Sequence, residues 1–212
     1  MSPVSRGREI GIMSYVRPKI AVMAIAFSAA AALAGHAENL AIRNCNWCHG
    51  ASGQGYTPAP RLAGQRPQYV ETQLMNFSNH TRDNPFSKMY MWGAAANLSH
   101  QAAHDLAAYY STLSSRAAND GNRELTAEGR SIYQEGMPDA NIAACVVCHG
   151  PSAEGVRGIP RLGGLAYSYL KRRLEQWGEG YHAGAGPPMP DIAGKLSPNQ
   201  IDALASYLSF IK

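Results

Sequence analysis

Cys45, Cys48 and His49 stand at positions i, i+3 and i+4, and the same three residue types recur at Cys145, Cys148 and His149. On a helical turn those positions lie on one face. Two thiols so placed can add to the two vinyl groups of a porphyrin while the adjacent imidazole reaches the iron from below, and C-x-x-C-H is the sequence that attaches c-type haem. The same residues have other uses. A zinc site would want two more Cys or His ligands at matched spacing, a redox dithiol belongs beside a βαβ pattern, and two disulfides would consume the four cysteines. The sequence supplies neither the extra zinc ligands nor the βαβ pattern. We read two covalently bound haem c groups, one per motif.

Such an iron needs a sixth ligand if it is to carry electrons rather than bind small molecules. Met91 lies 42 residues after His49, and Met189 lies 40 after His149; each precedes a Leu-Ser pair by seven residues. Met89, two positions before Met91, is the competing ligand in the first half. Met75 and Met137 read as packing residues. His80 and His182 fall near the methionine loops, but 11 and 7 residues before the methionines, so they read as surface residues. A thioether favours Fe(II), which raises the potential above that of a bis-histidine iron. Pro60 and Pro160 each follow their haem histidine by 11 residues. Their carbonyls can accept the histidine Nδ1–H and hold the ring. Arg61 and Arg161, next in line, are candidates for pairing with haem propionates or are ordinary solvated arginines.

These sites recur because the chain contains itself twice. At an offset of 100, Cys45–Gly50 matches Cys145–Gly150 and Pro60-Arg61-Leu62 matches Pro160-Arg161-Leu162. The triplet Val70, Leu74, Phe77 matches Leu170, Leu174, Trp177 in the same register. Beyond them the offset becomes 98, pairing Met91 with Met189, Leu98-Ser99 with Leu196-Ser197, and Tyr109 with Tyr207. The expected units are 38–116 and 124–212, joined by a polar linker over 117–123. Each unit holds three helical signals. One leads into the cysteines and starts near Thr126 in the second unit. The middle helix covers about 67–79 and 166–178 with apolar spacing of i, i+4, i+7. The last opens on Ser99 or Ser197, whose hydroxyl can cap it, with Pro198 at the first helical position. Its buried face is expected to include Leu106, Tyr109, Leu204 and Tyr207. No strand alternation stands out, and the fold class is all-α.

The amino-terminal segment has a different character. Arg17 and Lys19 precede an apolar run from Ile20 to Ala34, followed by the small-residue sites Ala32-Leu33-Ala34 and Gly35-His36-Ala37. A basic start, a short apolar stretch and small residues describe an export signal; the run is shorter than a membrane span. Residues 1–37 are therefore expected to be cleaved after Ala34 or Ala37, leaving a periplasmic product without a membrane span. Their loss removes Arg6, Arg8, Arg17, Lys19 and Glu9, taking the formal charge from +4 to +1. No basic excess is left to argue for nucleic acid or anionic lipid. With four cysteines among 212 residues, a disulfide-dense scaffold is excluded too.

Each half resembles a class I cytochrome c domain: CNWCHG or CVVCHG, then PRLAG or PRLGG, then a methionine and a closing helix that begins Leu-Ser. The tandem resembles the cytochrome c4 family of periplasmic dihaem electron carriers, and LAGQRPQYVETQL is similar to that family's stretch before the methionine loop. The resemblance implies two domains packed with their haems close together, redox proteins as partners, and electron delivery from a respiratory donor complex to a terminal oxidase or reductase. The first methionine loop has Trp92 beside its ligand where the second has prolines, so the two haems need not share one potential. Two other functions compete with the carrier. One is an electron-accepting subunit of a periplasmic dehydrogenase; the other is a dihaem enzyme, such as a peroxidase, with one open iron.

Overall fold

The computed structural model describes residues 35–181 and 188–212. Residues 1–34 of the expected export signal (1–37), His182 and Pro187 lie outside the described residues. Among the described residues there are helices and turns but no strands, only isolated bridges such as Tyr56 with Ala59 and Val156 with Ile159.

In the first half a helix over 35–40 runs into a π-helical turn, Ala41–Cys45, and then α1, Asn46–His49. Next come α2, Pro67–Ser78, a second π-turn, Ser87–Met91, continuous with α3, Trp92–Ala95, and α4, His100–Thr112. The second half has α5, Thr126–Glu135; α6, Val146–His149; α7, Tyr167–Gly178; α8, Met189–Ala193; and α9, Pro198–Phe210. The middle and last helices pack together in both halves, α2 on α4 and α7 on α9.

Local chemistry sets these boundaries. Ser99 Oγ accepts from Ala102 N at 3.1 Å, starting α4. Ser197 Oγ accepts from Gln200 N at 3.3 Å, and Gln200 Oε1 accepts from Ser197 N at 2.8 Å. That reciprocal pair satisfies two otherwise orphaned donors at the start of α9. Pro67 opens α2, where its missing N–H is not needed.

Ile132, Tyr133, Leu170, Leu204 and Leu208 form the centre of the second core, and Ala41, Leu106 and Tyr110 that of the first. Burying each large apolar side chain stabilises by roughly 1.5–3 kcal/mol. One expectation is corrected here. The tyrosine fully buried on α4 is Tyr110, 2% exposed, while Tyr109 is half-buried and packs edge-on against it. A shift of one residue turns a helix by about 100°, enough to exchange core for boundary. Tyr207, half-buried, does pack where α9 crosses α5, with its ring 5.7 Å from that of Tyr133.

The linker is bonded to the second half. Ala118 N donates to Gly164 O at 3.1 Å and Asn119 N to Ser209 O at 3.0 Å. Gly121 N donates to Ser209 Oγ and Asn122 N to Ser206 Oγ, each at 3.1 Å. The halves also touch directly. Arg172 Nη2 on α7 donates to Pro58 O at 2.9 Å, and its guanidinium lies 4.2 Å from the Phe86 ring centre. Buried Arg82 donates to Gln73 Oε1 at 2.8 Å and, across the interface, to Tyr169 Oη at 3.3 Å.

Candidate haem-binding sites

The loop after each C-x-x-C-H motif folds back on it. Gly55 N donates to His49 O and Gly155 N to His149 O, both at 2.8 Å; Leu62 N donates to Gly53 O and Leu162 N to Ala153 O, again at 2.8 Å. Gly55 and Gly155 adopt φ of +81° and +75°, and a Cβ there would lie 2.6 Å from Ala59 O or 2.4 Å from Ile159 O. Only glycine fits so tight a return.

The return delivers the proline carbonyls to the histidines. His49 Nδ1 lies 2.7 Å from Pro60 O and His149 Nδ1 lies 3.0 Å from Pro160 O. A carbonyl only accepts, so Nδ1 carries the proton and Nε2 keeps its lone pair. That is the tautomer an iron ligand requires. Both rings are buried. Burial pushes their pKa values below the ordinary histidine value, against the opposing pull of the proline carbonyls. The imidazoles are therefore neutral, oriented donors.

Cys45 and Cys145 are half-buried, whereas Cys48 and Cys148 are exposed. Burial raises the Cys45 thiol, partly offset by a hydrogen bond with Tyr110, and pushes Cys145 up to about 11. Before haem attachment these thiols are protonated near neutrality. Among the described residues no three of His, Cys, Asp and Glu converge as a metal cluster, so nothing there resembles a closed zinc site. The donor set fits a haem c: paired thiols one helical turn apart, with an oriented imidazole beside them.

The competing methionines of the first half differ in surroundings. Met89 is 69% exposed, whereas Met91 is half-buried at the end of its π-turn. The following Trp92 donates Nε1–H to Arg82 O at 2.9 Å and stacks on His80 at 4.0 Å. Met189, half-buried, opens α8 directly after Pro188.

The cytochrome c family model matches residues 35–114 and again 126–212. Cytochrome c4 of Pseudomonas aeruginosa is 33% identical over 189 residues, 87% of this chain and 90% of that protein. The thiosulfate dehydrogenase electron acceptor of Thiomonas intermedia is 35% identical over 174 residues, 78% of this chain and 77% of that protein. The structure of Acidithiobacillus ferrooxidans cytochrome c4 superposes with a TM-score of 0.73 at 32% identity, covering 78% of this chain and 98% of that one. The chain belongs to the cytochrome c4 family.

As a cytochrome c4 it is a dihaem electron-transfer protein rather than an enzyme, and it carries two covalently attached haem c groups on Cys45/Cys48 and Cys145/Cys148. Its all-α fold of two tandem cytochrome c domains is the family's. Within this cytochrome the two arginines have distinct settings. Arg61 is buried, donating Nε–H to Gln54 Oε1 at 3.0 Å and Nη1–H across the interface to Gly164 O. Arg161 donates Nε–H to Gly163 O at 3.0 Å. The Pro-Arg-Leu segments thus meet at the domain boundary. Sequence reasoning passed over Gln65, Arg82 and Arg172, which also make that boundary. For Gln65 the signal was a break in the repeat, since its partner position holds Leu165.

Proposed function

We propose that the mature protein works in the periplasm, passing electrons from a respiratory donor complex to a terminal oxidase or reductase. Each haem, when bound, supplies a reversible Fe(III)/Fe(II) couple. In this reading His49 and Met91 hold one iron, and His149 and Met189 the other. The observation that carries it is the pair of proline-held histidines, each keeping its Nε2 lone pair free for an iron. An iron held by both a histidine and a methionine would be suited to electron transfer and not to binding small ligands. In this reading Arg61 and Arg161, at the boundary between the domains, would pair with the haem propionates. Export with cleavage after Ala34 or Ala37 completes the reading.

The test is a haem-resolved redox titration of the purified protein, followed by stopped-flow mixing with oxidase-containing membranes. Two high-potential waves, no carbon monoxide binding by the reduced protein and oxidation within the membrane turnover time are expected. Rapid carbon monoxide binding at one haem, or no reaction with oxidase, overturns it.

A second reading is favoured by the similarity to a thiosulfate dehydrogenase electron acceptor: the protein accepts electrons from a periplasmic dehydrogenase. Co-purification with such an enzyme on size exclusion supports this reading, and a monodisperse free cytochrome counts against it.

A further inference from the structure

One peptide group joins the second haem histidine to the first domain. The Pro160–Arg161 peptide offers its carbonyl oxygen to His149 Nδ1–H at 3.0 Å. Its N–H, on Arg161, donates to the Gln65 side-chain oxygen at 2.6 Å. Gln65 is firmly held: its Nε2 donates to Arg161 O at 2.9 Å, its oxygen also accepts from Arg66 N at 2.9 Å, and the residue is only 5% exposed. The peptide is a conjugated unit. An acceptor on its N–H polarises it and makes its carbonyl oxygen the better acceptor, so the two hydrogen bonds strengthen each other in a buried setting. At the equivalent place in the second half Leu165 has no amide, so the arrangement runs one way.

We infer that Gln65 is a positioning residue of the first domain that tunes the haem of the second. Through the Pro160–Arg161 peptide it strengthens the His149 Nδ1–H hydrogen bond and makes the imidazole the stronger donor. A stronger donor stabilises Fe(III), so Gln65 holds the second iron at a lower reduction potential. The inference rests on His149 being an iron ligand, as proposed above.

The experiment uses the intact dihaem protein with Gln65→Met, which keeps length and charge and removes the acceptor, and Gln65→Leu, which copies the repeat. Spectroelectrochemistry follows each haem, and the waves are assigned by the hyperfine-shifted haem methyl resonances. At a fixed potential the reduced-to-oxidised ratio of the second haem is expected to rise about two-fold, the worth of a fractional strengthening of one hydrogen bond. That equals ~18 mV at 59 mV per tenfold. The first haem keeps its potential. Tyr169→Phe, which removes the interdomain partner of Arg82 without touching the peptide, is the control for a loosened boundary. An unmoved second haem in both Gln65 variants, or an equal shift in Tyr169→Phe, overturns the inference. Near-infrared magnetic circular dichroism of the wild type separates the two readings. A missing His/Met signature removes the ligand assignment, whereas an intact signature with an unmoved potential removes only the role of Gln65.

Discussion

Gly129 on α5 and Ala203 on α9 meet backbone to backbone: a Cβ on Gly129 would lie 2.0 Å from the Ala203 oxygen and 2.6 Å from its carbonyl carbon. Neither atom belongs to a side chain that could swing aside. Gly129→Ala is expected to force the helices apart at a cost of ~3 kcal/mol. A thermal melt followed at the second haem should show the loss. Gly158→Ala, where a Cβ meets nothing within 4 Å, should leave the melt unchanged.

Tyr133 anchors the residue after the second haem histidine. Its hydroxyl donates to Gly150 O at 2.6 Å from a fully buried position, and burial pushes its pKa well above the ordinary value. Gly150 O also accepts from Ala153 N at 3.0 Å, so Tyr133→Phe does not orphan it. The expected cost is about 1 kcal/mol, read from the midpoint of guanidinium unfolding. A loss above ~3 kcal/mol would assign the hydroxyl a larger role.

The methionines can be told apart one at a time. Met91→Ala should open the first iron to carbon monoxide and remove its thioether-to-iron absorption band, and Met189→Ala should do so at the second. Met89→Ala, at an exposed position, should change neither. Carbon monoxide binding in Met89→Ala with none in Met91→Ala would reverse the assignment.

Acid should erase one surface contribution. Asp202 Oδ1 accepts from Lys171 Nζ at 2.6 Å and Tyr167 Oη at 2.7 Å, and the Lys171 ammonium holds its carboxyl below the ordinary value of 3.8. The ion pair is about one-third exposed, so its worth is ~0.5–1 kcal/mol. A lowered carboxyl pKa stabilises the fold above the ordinary value, and that stabilisation is lost as pH falls through the lowered one. Asp202→Asn should therefore be less stable than wild type at pH 7 and converge with it as pH falls through the lowered carboxyl pKa, as measured by urea unfolding across pH. A gap persisting at low pH would show that packing rather than charge is at stake.

What the sequence revealed was local or repeated. Cys45, Cys48 and His49 announce their chemistry within five residues, and Ser99 and Ser197 mark their helices by side chains that bond three residues ahead. Pro60 and Pro160 were legible because the repeat put each 11 residues beyond a histidine, and the carbonyls sit within hydrogen-bond distance of the rings. Tyr110 escaped because an apolar face on a helix with tyrosines at both 109 and 110 is ambiguous by one position. The domain boundary escaped for another reason. Arg61, Gln65, Arg82 and Arg172 reach partners 87 to 114 residues away in the chain, and no spacing rule links them. There each half must differ from the other to fit it.

The bonded linker bears on how the two halves can be separated. Residues 118–122 spend their amides on Gly164, Ser206 and Ser209 of the second half. A second half cut free before Ala117 would leave wearing its own belt, while one begun at Glu124 would expose those hydroxyls and the Gly164 and Ser209 carbonyls to water. On the other side Arg116 N donates to Gln54 Oε1 of the first half at 3.2 Å, so the joint between the halves falls at Ala117, and a protease seeking slack between the domains should find it there and not in the polar stretch that follows.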